Sequence, residues 1–348
     1  MERALSSDPA LARAVLGTDD PRRVADALDS FCASHLDCGV RKVLFCEVSV
    51  GAAFGLLLDD GRRMFLKANP PDRQPDFLRA VHRTQAHLAR HCFPCPRPLA
   101  GPELFLSGHA TVDEYVDEGS HRDAHDPEVR GEMARALARQ IALCSGLTDV
   151  GALAEGGMRW PEGQEEALWP EPHNPLFDFG ATEEGAGWID EIALAARKTR
   201  PEEVGEIVIG HRDWSAKHFR FEDGASSPRI RTVYDWDALG FDREPVFVGF
   251  AAATFTATWY LEVPSRAPGP WEVERFVSEY EGARGEPFSG PERRAAFCTA
   301  VYMMAYVARC EHAVDPAGRN LQGSYRQALS TRPDDYLGLY SGDLGPTW

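Results

Sequence analysis

The 348-residue chain has no hydrophobic run long enough to cross a bilayer. Its most apolar long segment, Ala295 to Ala308, falls short of the ~20 residues a membrane helix needs and carries Thr299, Tyr302 and Tyr306, so it reads as a buried helix. The N-terminal Met1-Glu2-Arg3-Ala4-Leu5-Ser6-Ser7-Asp8 lacks a basic region backed by a hydrophobic core; no secretory signal is expected, and the expected location is the cytoplasm. Positive charge is in deficit. Against 54 Asp and Glu there are 37 Lys and Arg, a net charge of -17 that repels nucleic acid and anionic membranes and excludes both as expected partners. A cationic molecule would be attracted. The eight cysteines, at 32, 38, 46, 92, 95, 144, 298 and 310, show no secreted disulfide framework. Cys92-Phe93-Pro94-Cys95, preceded by His91, has no second pair at finger-like spacing, so reduced thiols at a helix end are expected there. No internal repeat or low-complexity tract stands out.

Chemistry is concentrated in Gly210-His211-Arg212-Asp213-Trp214-Ser215-Ala216-Lys217-His218-Phe219-Arg220-Phe221, followed by Val233-Tyr234-Asp235-Trp236-Asp237. Ile207-Val208-Ile209 and Ile230-Arg231-Thr232-Val233-Tyr234 are short β-branched runs ending at Gly210 and Asp235. Glu222 to Pro228, rich in turn residues, reads as the loop of a β-hairpin that delivers Asp213 and Asp235 to neighbouring places. Two carboxylates so placed suit phosphoryl transfer, which needs a base beside the attacking hydroxyl and a ligand for the magnesium bridging the nucleotide phosphates.

The spacing is similar to the His-x-Asp-x-x-x-x-Asn catalytic loop and the later magnesium-binding Asp motif of the aminoglycoside phosphotransferase family, relatives of the protein kinases. The resemblance implies that Asp213 is the catalytic base, Asp235 the main magnesium ligand and His211 a brace for the loop. His218 stands where the family has Asn and is the candidate second metal ligand. A neutral imidazole suits softer transition metals better than magnesium.

Upstream, Lys42 to Val48, a small-residue loop over Ser49 to Gly55, Leu56-Leu57-Leu58, a turn at Asp59-Asp60-Gly61 and Met64-Phe65-Leu66-Lys67-Ala68 read as a nucleotide lid. Ser49 and Gly51 let backbone amides approach phosphate oxygens, and Lys67 would meet the phosphates as a point charge. The helix over Asp76 to His91 carries a glutamate in the family that pairs with this lysine. Here Val81 or a neighbour takes its place, with His82 and Gln85 the nearest polar residues. Thr111 to Gly119 resembles the interlobe hinge, where backbone groups at Glu114 and Val116 would read an adenine.

Residues 1 to about 35 carry helical spacing behind Asp8-Pro9 and Asp20-Pro21, and read as an extension ahead of this region. Pro127 to Leu147 reads as an amphipathic helix, and 150 to 200 as irregular. There, Trp160-Pro161, Trp169 to Pro175 and Phe177 to Gly180 suit a substrate pocket, and Glu162, Glu165, Glu166, Glu183 and Glu184 an amine-bearing acceptor. Helices follow after Pro245, ending in a Gly- and Asp-rich tail from Tyr336 expected to pack loosely.

The resemblance implies an α+β, protein-kinase-like two-lobe fold: a helical extension at 1-36, a small β-rich nucleotide-binding lobe with the hinge at 37-117, and a larger helical lobe for catalysis and acceptor binding at 118-348. It implies an ATP- and Mg2+-dependent phosphotransferase that phosphorylates a hydroxyl of a small molecule. A cationic antibiotic such as an aminoglycoside, a sugar, an amino alcohol or a biosynthetic intermediate fits equally. Two other readings stand beside it. One is a kinase-shaped nucleotide-binding or interaction protein impaired in catalysis; the other takes His211, Asp213, His218 and Asp235 as a hydrolytic metal cluster.

Overall fold

After a short α1 (Glu2–Ser7), the side chains of Asp8 and Asp20 each accept a backbone N–H, from Leu11 and Arg22 at 3.0 Å. Proline follows each at the first helical position, so α2 (Pro9–Leu16) and α3 (Pro21–Leu36) begin where the Asp-Pro pairs predict. The computed structural model describes residues 1–156, 167–172, 174 and 176–341. They fall into two units, Met1–Asp117 with Leu147–Glu155, and Glu118–Gly146 with Gly156–Trp348.

The first unit holds β1 (Val40–Val48), β2 (Ala52–Leu58), β3 (Arg63–Asn69), α4 (Pro75–Arg90), β4 (Pro98–Phe105) and β5 (Gly108–Glu114). The strands form one antiparallel sheet in the order β1-β2-β3-β5-β4. Because strand side chains alternate, one face presents Phe54, Leu56, Leu66, Ala68, Ala110 and Val112, all buried. Leu5, Val15, Leu16, Val24, Leu28 and Phe31 of the three N-terminal helices complete the same core. The helices that read as an extension are thus part of the sheet's packing. The opposite face carries Lys67, Thr111 and Asp113, paired as Lys67 with Thr111 and Phe65 with Asp113. From α4, the Gln85 amide donates to Asp113 at 3.2 Å, and His82 Nε2 lies 3.6 Å from the same carboxylate.

The second unit contains α5 (Pro127–Cys144), α6 (Gly187–Thr199), β6 (Ile207–His211), β7 (Phe219–Phe221), β8 (Ile230–Val233), β9 (Leu239–Arg243), α7 (Glu244–Thr254), α8 (Pro270–Arg284), α9 (Gly290–Val314), α10 (Tyr325–Thr331) and α11 (Pro333–Ser341). The apolar stretch Ala295 to Ala308 lies inside α9 and is largely buried, as its composition predicts. No helix among the described residues is long and apolar enough to cross a membrane.

Three sequence expectations change here. The stretch from 150 to 200 contains the regular helix α6. Trp169 and Phe179, both half-buried, pack against Tyr306 of α9, Trp169 also donating to Asp190 at 2.8 Å, so both dock this segment onto α9. Trp160, Pro161, Glu162, Glu165, Glu166, His173 and Pro175 lie outside the described residues. The tail is anchored through residue 341: Tyr336 and Tyr340 are buried, and the Tyr336 hydroxyl donates to the Pro268 carbonyl at 2.8 Å. Residues 342–348 lie outside the described residues.

Candidate functional site

The expected hairpin between Ile207-Val208-Ile209 and Ile230 to Tyr234 does not form. β6 pairs instead with β9, from Ile207 opposite Arg243 to His211 opposite Leu239. β8 pairs with β7, Phe219 opposite Val233, and the turn-rich loop from Glu222 joins those two strands. Phe219 and Phe221 explain the choice. Both are fully buried, alternating with Arg220, so this three-residue strand takes the place next to Ile230–Val233. β9 is hidden in sequence by Gly240, whose missing side chain leaves room for Arg212: a Cβ would lie 1.7 Å from Arg212 Nη1. Arg212 fills that space to donate to the Gly156 and Phe241 carbonyls, each at 2.7 Å.

Asp213 and Asp235 still come together, because each follows a strand of one of these two ribbons and the ribbons are tied to each other. The Tyr234 N–H donates to the His218 carbonyl at 2.9 Å, extending the β7–β8 ribbon up to the loop that carries Asp213, and His211 of β6 ties the two ribbons together. His211, completely buried, joins both loops: its Nδ1 accepts the Asp213 N–H at 3.2 Å and its Nε2 donates to the Tyr234 carbonyl at 3.1 Å. Burial pushes its pKa down to about 4, so the ring is neutral with the proton on Nε2. His211 therefore braces both acid-bearing loops.

Ligand atoms of Asp213, His218 and Asp235 lie within 4.8 Å of one another. His218 Nε2 is 2.9 Å from Asp213 Oδ2 and 3.6 Å from Asp235 Oδ2. Lys217 Nζ also reaches Asp213 Oδ2, at 2.8 Å, and the buried Ser215 hydroxyl donates to Oδ1 at 2.7 Å. Burial alone would raise the Asp213 pKa; Lys217 and His218 outweigh it and hold the carboxyl well below the usual range, ionised. Asp235 sits in the left-handed region at φ 64°, a conformation Asp tolerates better than most side chains. Two carboxylates and an imidazole at this spacing form a donor set that fits a divalent cation.

Sequence reasoning missed Ser215, Lys217 and Trp259. The first two lay inside the motif as unassigned letters. Trp259 arrives from 46 positions after Asp213, its ring 4.6 Å from Lys217 Nζ, and only folding brings it there.

In the other unit, Lys67 lies on β3 and Gly51 in the β1–β2 turn, where Ser49 N–H donates to the Gly51 carbonyl at 2.8 Å. A Cβ on Gly51 would lie 2.9 Å from the Ala68 carbonyl oxygen and 3.7 Å from Lys67 Cε, so glycine keeps this turn against the lysine chain. Glu114, at the end of β5, makes a two-pronged ion pair with Arg97, both contacts at 3.1 Å. Val116 follows it, and this unit's first segment ends at Asp117. The buried face of α4, which includes Phe77, Val81, Gln85 and Leu88, carries no acid.

No curated protein matches the chain significantly. Solved structures share its fold. A Ralstonia eutropha protein provisionally assigned as an aminoglycoside phosphotransferase aligns with TM-score 0.52 and 15% identity, over 90% of this chain and 96% of that one. A microcompartment-associated aminopropanol kinase aligns with TM-score 0.51 and 16% identity, covering 87% and 95% of the two chains. The amicoumacin kinase hAmiN, solved with AMP-PNP and Ca2+, gives TM-score 0.52 and 10% identity over 92% and 96%. At these identities the likeness establishes the protein-kinase-like fold, a β-rich N-terminal lobe and a helical C-terminal one. The profile of the phosphotransferase enzyme family matches residues 47–243, which include Lys67, Asp213, His218 and Asp235, and the chain belongs to that family.

Proposed function

We propose that this protein is an ATP-dependent O-phosphotransferase that moves the γ-phosphoryl group to a hydroxyl of a small molecule. The observation that carries the reading is the convergence of Asp213, His218 and Asp235 within 4.8 Å on two loops braced by one buried histidine. Asp213 orients the acceptor hydroxyl and takes its proton as the oxygen attacks the γ-phosphorus and the bond to the β-phosphate oxygen breaks. Its depressed pKa keeps it ionised and ready to accept that hydrogen bond. Asp235 and His218 are the residues that would hold Mg2+, whose charge would neutralise the nucleotide phosphates. Lys67 adds a point charge to those phosphates, Ser49 and Gly51 supply backbone amides, and Glu114 and Val116 supply the main-chain groups that read the adenine.

The acceptor is a small hydroxylated molecule. The net charge of -17 favours a cationic one, an antibiotic such as an aminoglycoside among them, and a cytoplasmic location suits the ATP requirement. ATP consumption with magnesium across a panel of aminoglycosides, other hydroxylated antibiotics, sugars and amino alcohols tests the reading. Turnover with an acceptor should fall about 10²- to 10⁴-fold in Asp213→Asn while ATP binding persists. Equal turnover by that variant refutes the assignment of the base.

A second reading, a nucleotide-binding protein impaired in catalysis, draws on His218, whose imidazole lies 2.9 Å from Oδ2, one of the two oxygens of the proposed base. ATP binding with silence across the panel, in the native protein and in His218→Asn alike, would favour it.

A further inference from the structure

Large aromatic side chains left in water beside a reactive carboxylate call for an occupant, because burying their faces is favourable and solvating them is not. Trp259 and Tyr260 are 62% and 51% exposed, on the segment that follows α7. That segment is tied to the catalytic loop: Ala216 N–H donates to the Phe255 carbonyl at 3.0 Å and Lys217 N–H to the Ala257 carbonyl at 3.1 Å. The aromatic pair is held in place. Tyr260 stacks on His121 with centroids 4.4 Å apart and planes 10° from parallel, and its N–H donates to the buried Thr258 hydroxyl at 3.2 Å. Trp259 lies 6.3 Å from Tyr260, and Lys217 Nζ bridges from the Trp259 ring to Asp213 Oδ2.

We propose that Trp259 forms the acceptor platform with Tyr260 at its edge, and that the acceptor is a ring-bearing alcohol whose flat face stacks on the Trp259 ring while its hydroxyl reaches Asp213. This deepens the phosphotransferase reading and rests on it. The positions of the charges select further. Lys217 Nζ already stands 2.8 Å from the Asp213 carboxylate, so an ammonium group one or two carbons from the reacting hydroxyl would meet a cationic neighbour. Short acyclic amino alcohols are therefore disfavoured. Ring compounds, whether sugars or aminoglycosides, place any amine further away and gain the stacking surface.

The test uses the full-length protein with four probes: methyl β-glucoside, kanamycin, ethanolamine and 1-amino-2-propanol. Steady-state phosphorylation is measured in native protein, Trp259→Ala, Trp259→Phe and Tyr260→Ala, and binding of the ring probes to Asp213→Asn, alone and combined with Trp259→Ala, is measured by calorimetry. A ring probe should be phosphorylated in preference to both acyclic ones. Trp259→Ala should raise its KM about tenfold with little change in the KM for ATP, and Trp259→Phe should restore most of the loss. The calorimetric Kd should weaken by the same factor without any turnover. Preferential use of the acyclic probes, no use or binding of either ring probe, or an unchanged KM and Kd in Trp259→Ala overturns the platform. If Asp213→Asn phosphorylates as well as the native protein, it is the phosphotransferase assignment of that residue that fails.

Discussion

His211→Phe is the most informative single change, because one side chain holds both acid-bearing loops. The phenyl ring is somewhat larger than imidazole and leaves no cavity, so the perturbation is the loss of two hydrogen bonds in a site with no exposure, with any overpacking adding to it. The Asp213 N–H and the Tyr234 carbonyl each lose the hydrogen bond to His211, at a cost of about 1–3 kcal/mol apiece, or about 2–6 kcal/mol together. In urea this should lower the unfolding midpoint by roughly 1–2 M with an unchanged slope, since the surface exposed on unfolding is the same. The survivors that stay folded should also turn over slowly. A displacement near 1 Å of a catalytic group costs on the order of 10²-fold in rate, and here Asp213 and the segment leading into Asp235 are released together. The pair of measurements is urea unfolding by circular dichroism and ATP consumption at a temperature where the variant is folded. A variant within about 0.5 kcal/mol of native stability and with native kcat would refute the brace.

Other expectations follow from the same packing. Gly240→Ala should destabilise by about 1–3 kcal/mol, because its Cβ would meet Arg212 Nη1 at 1.7 Å while two carbonyls hold that guanidinium; thermal unfolding reads the loss. His218→Asn exchanges a nitrogen ligand for an oxygen one, so the ratio of Mg2+-supported to Mn2+-supported ATP consumption should rise; an unchanged ratio would remove His218 from the metal site. His125 donates from Nδ1 to Glu272 at 2.7 Å and from Nε2 to the Ser265 carbonyl at 2.8 Å, and the Glu272 hydrogen bond, against the opposing effect of burial, raises its pKa above 6.5. Its contribution to stability is full below pH 6.5 and is lost as pH rises through the raised value. His125→Gln should flatten that fall in unfolding free energy as pH rises above 6.5, and parallel curves for the two proteins would contradict it.

Local signals in the chain determined a good deal of this protein. Asp-Pro pairs marked the starts of α2 and α3, apolar runs either side of the Asp59-Asp60-Gly61 turn marked β3, with Lys67 on it, and the end of β2, and the His-x-Asp and later Asp spacing marked which acids to watch. These readings succeed because caps, alternation and turn chemistry act over a few residues. Partnership was decided by the tertiary structure. Ile207–His211 chose Leu239–Arg243 over Ile230–Val233 because Phe219 and Phe221 claimed that edge, and Gly240 gave no sign of a strand until Arg212 was seen filling its place. The N-terminal helices carried an apolar stripe in sequence, but only the sheet's exposed need for Leu28 and Phe31 made them part of its core. Trp259 and Lys217 entered the site in the same way. Backbone propensity is written residue by residue, whereas the contacts that set charge and access around Asp213 join residues far apart in the chain, and packing of the whole unit selects them.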